Sequence, residues 1–285
     1  EREVEKMEKK KETRILLLRI MMGICTVVFV VSGFLLVQDY IRTSRQQKTF
    51  DTLTERFTEK PVPDMAEPEQ VAGGEEEEQL PSDRKWKLWW EEQAQERFAV
   101  YQSMKEENPD MIGWIRIEGT NIDYPVMQTP GSADYYLHRD FYKNKSSYGT
   151  PYLAETCRYT DPRTSLLISG HHMKNGSMFA QLQNYTEQAF CSEHPYVQFD
   201  TMDEAGSYEV AAVIKLSASG DQTIWQDLLY PQKDGDFAGA WERMKAQSFY
   251  DTGVEISEED ELLALVTCEY TLKNGRIMLV AKRIL

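Results

Sequence analysis

Three settings in the second half of the chain hold residues that could carry covalent chemistry. Cys268 closes the apolar run LLALVTCEY, and polar residues follow it at once. A cysteine ending a strand sits where its thiol is reachable, and a thiolate is a nucleophile; the same position also suits a buried structural thiol. His171 and His172 follow Gly170 directly after the strand-like SLLIS. An imidazole with an ordinary pKa of about 6.5 transfers protons near neutrality. Neighbouring side chains on an extended chain point to opposite sides, so at most one of the pair faces Cys268; both also read as satisfied loop histidines. Arg276 opens the last strand, where an arginine is ordinarily a solvated edge residue. Its fixed cation is also what a cysteine acyltransferase needs opposite a developing oxyanion.

Bringing Cys268 and Arg276 together constrains the hairpin between them. Asn274-Gly275 is a strong two-residue turn signal. Such a turn pairs Lys273 with Arg276 and leaves Cys268 and Arg276 about 17 Å apart at about 3.4 Å per residue, too far for shared chemistry. Chemistry therefore requires residues 269–275 to form an open loop with Cys268 and Arg276 at its base. Continuous pairing through Tyr270 would contradict it.

Composition narrows the alternatives. Among 285 residues the formal net charge is −15, which repels phosphates and argues against a nucleic-acid partner. There is no CxxC or HExxH element to hold a metal, and no cofactor is expected. Of the four cysteines, Cys157 and Cys191 read as two independent buried thiols, with a disulfide between them as the alternative.

The elements that must position these residues come after a membrane segment. Ile20 to Val37 is uncharged and strongly apolar, and with Ile15 to Leu18 it gives enough helix to cross a bilayer core of about 30 Å. Arg2, Lys6, Lys9, Lys10, Lys11 and Arg14 precede the span, against Arg42, Arg45 and Lys48 after it, which predicts a cytoplasmic N-terminus. The stretch KPVPDMAEPEQVAGGEEEEQLPSDRK has too few large apolar residues to offset ordering entropy and reads as a stalk. Residues 1–14 are thus a basic tail, 15–38 the anchor, 39–84 an extracytoplasmic linker and 85–285 the folded domain. Trp86, Trp90, Ala94, Phe98 and Tyr101 recur at helical spacing and predict an amphipathic helix ending before Asn108-Pro109. Short runs rich in β-branched and aromatic residues follow (WIRI, IDYPV, SLLIS, YVQF, YEVAAVIKL, LLALVTC and RIMLVAKRI), which predict a mainly β barrel or sandwich. Between Gln222 and Gln247 the spacing turns helical.

Together these residues resemble a sortase, over about residues 85 to 285. The family's TLxTC strand end stands here as Ala264-Leu265-Val266-Thr267-Cys268, its histidine follows a glycine in GHHMKNGSMF, and its arginine comes eight residues after the cysteine. NPDMIGWIRIEGTNIDYPVMQ, YYLHRDF, SYGTPYL and SFYDTGVEISEEDELLAL are similar to class B, cysteine transpeptidases of Gram-positive bacteria. The resemblance implies an eight-stranded β-barrel with an added N-terminal helix and a helix in the connection before the nucleophile strand. It implies Cys268 as nucleophile, His171 as general acid and Arg276 as oxyanion cation, with Thr267 and Ser132 beside the substrate groove. Two departures bear on substrate preference: Ala264 replaces a threonine, and Gly131-Ser132 lacks the amide side chain often found before YYL.

The resulting expectation is a membrane-anchored transpeptidase that cleaves an LPxTG- or NPxTN-like C-terminal sorting signal through a Cys268 thioester. It then transfers the protein to an amine of the cell-wall precursor or a pilin. The alternatives are an inactive sortase-like binding module and a cysteine protease that releases its product to water.

Overall fold

The computed structural model describes residues 2–57, 82–160, 165–219, 228–229 and 236–284. Most of the acidic stalk, the side chains of Trp86 and Trp90, and Trp225 lie outside the described residues. Helix α1 runs unbroken over Arg2–Thr54, and from Leu17 onward it is long and apolar enough to cross a membrane, with its apolar window unburied. The compact unit that holds the barrel begins at Phe50. Phe50 and Leu53 lie in its core, and Phe57 packs edge-on against Trp114 at 4.8 Å. The first part of the segment expected as a linker from residue 39 is helical as far as Thr54, and its apolar residues at 50, 53 and 57 cover a face of the barrel.

Helix α2 (Ser82–Glu107) ends before Asn108-Pro109 as its sequence predicts. Ala94, Tyr101 and Met104 are buried and Phe98 packs on the core. A buried carboxylate fastens this helix to the barrel: Asp200 accepts from Arg97 Nε at 2.7 Å, Tyr101 OH at 2.9 Å and Gly206 N at 3.2 Å. Buried charge is tolerated there because these three partners are all donors.

Eight strands close into a barrel: β1 (Met111–Arg116), β2 (Asp123–Met127), β3 (Tyr152–Leu153), β4 (Leu166–Ser169), β5 (Tyr196–Thr201), β6 (Ser207–Ser217), β7 (Leu262–Glu269) and β8 (Gly275–Arg283). Their order is β1-β2-β3-β4-β7-β8-β6-β5, and β5 pairs back onto β1. A barrel of eight strands is just wide enough for side chains to fill. Here Ile168, Val213, Leu263, Leu265, Ile277 and Leu279 fill it, so chemistry must sit on the outer face.

Part of that outer face is covered. Ala212, Ile214, Ala264, Met278 and Val280 point outward beneath a second cluster that includes Phe237, Ala240, Trp241 and Met244 of helix α3 (Phe237–Gln247). Asp236 caps this helix by accepting from Gly239 N at 2.9 Å. Each large apolar side chain it removes from water contributes about 1.5–3 kcal/mol. Covered on both faces, β7 reads as a continuous apolar run rather than an alternating one. Ala264 belongs to this packing and is fully buried. It lies four residues, about 13 Å, from Cys268, so its departure from the family motif is a matter of helix packing and not of chemistry.

Candidate active site

The register of β7 and β8 sets Cys268 directly opposite Arg276, and Glu269 opposite Gly275. Pairing stops there; Tyr270 to Asn274 form the loop, with Asn274 at a φ of 53°. The open loop that chemistry requires is present, one residue tighter on each side than expected. Its cause is Glu269. The carboxylate accepts from Thr271 N at 2.9 Å and Leu272 N at 3.0 Å, and Lys215 of β6 pairs with it at 3.0 Å. Burial pushes this carboxyl up, but the two amides and the lysine outweigh it and hold the pKa at about 2. Satisfying loop amides in this way overrides the local preference of Asn-Gly for a two-residue turn.

Alternation along β7 places Thr267 toward the barrel interior and Cys268 outward, and Leu216 of β6 lies opposite Arg276 on the same outer face. The Cys268 thiol is free and half-buried. Arg276 donates from Nη1 to its neighbour Gly275 O at 2.9 Å, and among the described residues it pairs with no carboxylate. A guanidinium has five N–H donors, so most remain for an oxyanion.

Strand β4 runs parallel to β7 and brings the histidines. Gly170 N donates to Val266 O at 3.1 Å, and Thr267 Oγ1 donates to Gly170 O at 2.8 Å. The register ends at Ser169–Val266, so the two histidines follow the end of β4 at the same end of the barrel as Cys268. Thr267 is only 2% exposed, so its hydroxyl ties β4 to β7 and does not open onto the groove expected for it. Ser132 is exposed in the loop that leads into the 3-10 turn Tyr135–His138.

The two histidines turn to different partners. His171 Nε2 meets Leu137 O at 2.8 Å, and His172 Nδ1 meets Cys268 O at 2.9 Å. A carbonyl only accepts, so Nε2 of His171 carries a proton in this contact and Nδ1 is the nitrogen left to titrate. Burial lowers the pKa of His171, the Leu137 carbonyl raises it, and His138, its ring 6.1 Å away, lowers it; the net direction is down. The turn bearing Leu137 is itself held from beneath. Asn108 Nδ2 donates to Tyr136 OH at 2.8 Å and Tyr136 OH donates to Asp110 Oδ2 at 2.8 Å. Gly149 passes at a φ of 62° so close that a Cβ would fall 2.6 Å from Leu137 O.

Two further residues near the site are not singled out as site residues by the sequence. Tyr152 of β3 donates to Asp134 Oδ1 at 3.2 Å. Burial and Asp134 push its pKa to about 12, against the pull of nearby Arg276. Tyr270 also lies near both reactive groups. Burial and the Cys268 thiol raise its pKa, while Arg276 lowers it.

A thiol, an imidazole and an unpaired guanidinium gathered at one end of two neighbouring strand pairs are the equipment of a cysteine acyl-transfer enzyme. The family profile described as Sortase domain matches residues 115–284. The chain is 32% identical to sortase B of Listeria monocytogenes over 61% of this chain and 70% of that protein. Among solved structures, sortase B of Clostridium perfringens is 30% identical, covers 64% of this chain and 98% of its own, and has a TM-score of 0.57. The Staphylococcus aureus sortase B–substrate complex is 25% identical, covers 71% and 97%, and has a TM-score of 0.60.

The chain belongs to the sortase family, with class B sortases among its relatives, and is a cysteine transpeptidase.

Proposed function

We propose that the chain is a membrane-anchored transpeptidase with its N-terminus in the cytoplasm and its barrel outside, using Cys268, His171 and Arg276. The direct pairing of Cys268 with Arg276 carries this reading. The excess of Lys and Arg before the apolar helix supports the orientation. The Cys268 thiolate attacks the carbonyl carbon at the Thr-Gly or Thr-Asn bond of an LPxTG- or NPxTN-like signal, and Arg276 faces the resulting oxyanion. The C–N bond breaks as His171 gives its Nδ1 proton to the leaving amine, and a thioester remains. An amine of the cell-wall precursor or of a pilin then attacks the thioester. It loses its proton to His171, and Sγ departs as thiolate. Thr267 and Tyr136 act behind this set, the first by holding Gly170 and the second by holding the Leu137 turn.

The lowered pKa of His171 makes its imidazolium scarcer at neutral pH, so slow turnover follows. The test is intact-mass analysis of the full chain in detergent micelles with LPxTG-like and NPxTN-like peptides. The expected result is a mass increase equal to the acyl fragment, reversed by hydroxylamine and lost in Cys268→Ala. No adduct with any peptide contradicts the reading.

A further inference from the structure

The loop after Cys268 is more exposed than its bonding suggests. Tyr270 is 68% exposed, yet its hydroxyl donates to His172 O at 3.0 Å and its ring meets the His172 ring at 5.1 Å and 60°. The His172 ring in turn donates from Nδ1 to Cys268 O. These contacts close a ring: from the Cys268 carbonyl to the His172 imidazole, on to Tyr270, and back along the chain through Glu269. Nucleophile and histidine come from strands far apart in sequence, and this ring is a cross-link between them at the point of reaction. Where Tyr270 points is decided one residue earlier, because the carboxylate of Glu269 binds the two amides that follow Tyr270. Lys215, which also donates to Thr271 Oγ1, holds that carboxylate from β6.

We infer that Tyr270 is a positioning residue that clamps the histidine segment to the end of β7 through His172, with Glu269 as its anchor. The clamp rests on the reading of Cys268 and His171 as a reacting pair. It fixes their separation, and misplacement by about 1 Å costs on the order of a hundredfold in rate. The two histidines of Gly170-His171-His172 thereby divide the work, His172 carrying the clamp and His171 the proton.

The test compares wild type, Tyr270→Phe, His172→Ala, their double variant and Leu272→Ala, each as the full chain in detergent micelles. Phenylalanine keeps the ring contact and removes only the hydroxyl. Tyr270→Phe is expected to lower kcat about two- to tenfold, the worth of one hydrogen bond, with KM and Tm unchanged. Leu272→Ala, in the same loop, is expected to leave kcat as it is. His172→Ala removes the imidazole link to the Cys268 carbonyl but keeps the carbonyl that receives the Tyr270 hydroxyl, so adding Tyr270→Phe is expected to lower kcat further. Glu269→Gln is expected to repeat the Tyr270→Phe effect. An unchanged kcat in Tyr270→Phe, a change confined to KM, or a double variant no slower than His172→Ala would each overturn the clamp.

Iodoacetamide alkylation of Cys268, followed by mass across pH, decides the matter without any peptide. The wild-type rate is expected to show an inflection that His171→Asn abolishes and Tyr270→Phe shrinks. Superimposed wild-type and Tyr270→Phe profiles overturn the clamp whatever the peptide assay gives. Differing profiles with no acyl adduct in wild type leave the clamp standing and sink the transpeptidase reading.

Discussion

His171→Asn lowers kcat/KM by about 10²- to 10⁴-fold, the usual contribution of a positioned general acid, while His172→Asn costs about tenfold or less. The difference follows from where each ring is held. The Nε2 of His171 is on Leu137 O, which leaves its Nδ1 for proton transfer, whereas the Nδ1 of His172 is occupied by the Cys268 carbonyl. The pH dependence has a definite sign. In the proposed mechanism activity requires the imidazolium and fades as pH rises through the pKa of His171, which burial foremost, and then His138, depress against the pull of Leu137. Replacing His138 with asparagine removes the neighbouring ring that lowers the His171 pKa and so raises that pKa. His138→Asn is therefore expected to move the pH–rate profile toward higher pH. A pH–rate profile of kcat/KM checks this, and a profile moved toward lower pH would contradict it.

Arg276→Ala lowers kcat by about 10²- to 10³-fold, as loss of an oxyanion donor does elsewhere, with KM and Tm nearly unchanged. Stability is spared because Arg276 has no carboxylate partner among the described residues, so its removal orphans no buried charge. Arg276→Lys recovers only part of the loss, since an ammonium keeps the charge but not the planar fork. Single-turnover acylation rates separate this from a binding effect. A variant that loses KM and keeps kcat would reassign Arg276 to holding the substrate.

The strands of the nucleophile hairpin, both helices flanking the barrel and the apolar span are all legible locally, because each repeats its hydrophobic pattern several times. Strand β3 is not, since Tyr152–Leu153 is too short to show a period. The three residues proposed to react stand out by motif, but their arrangement depends on pairings that no local pattern carries. β4 joins β7 in parallel across nearly a hundred residues of chain, and the Cys268–Arg276 register hangs on a glutamate that binds backbone amides two and three residues ahead. In the sequence Glu269 looks like any polar residue ending a strand. The same holds for Thr267: the motif marks it, but only the structure shows its hydroxyl turned to Gly170 and away from solvent. Phe50, Leu53 and Phe57 are hidden because an apolar residue beyond a membrane helix looks like the tail of that helix until a barrel face is found against it.

The most direct test of the central claim is the partition of one acyl-enzyme between water and an amine. The full chain in micelles is supplied with the peptide that gives the Cys268 adduct, and products are quantified as triglycine is raised. The account predicts that the transpeptidation product grows at the expense of hydrolysis while acylation stays constant, and that Cys268→Ala gives neither. Release of free acid alone, independent of added amine, would contradict a transpeptidase and make the chain a cysteine protease built on a sortase barrel.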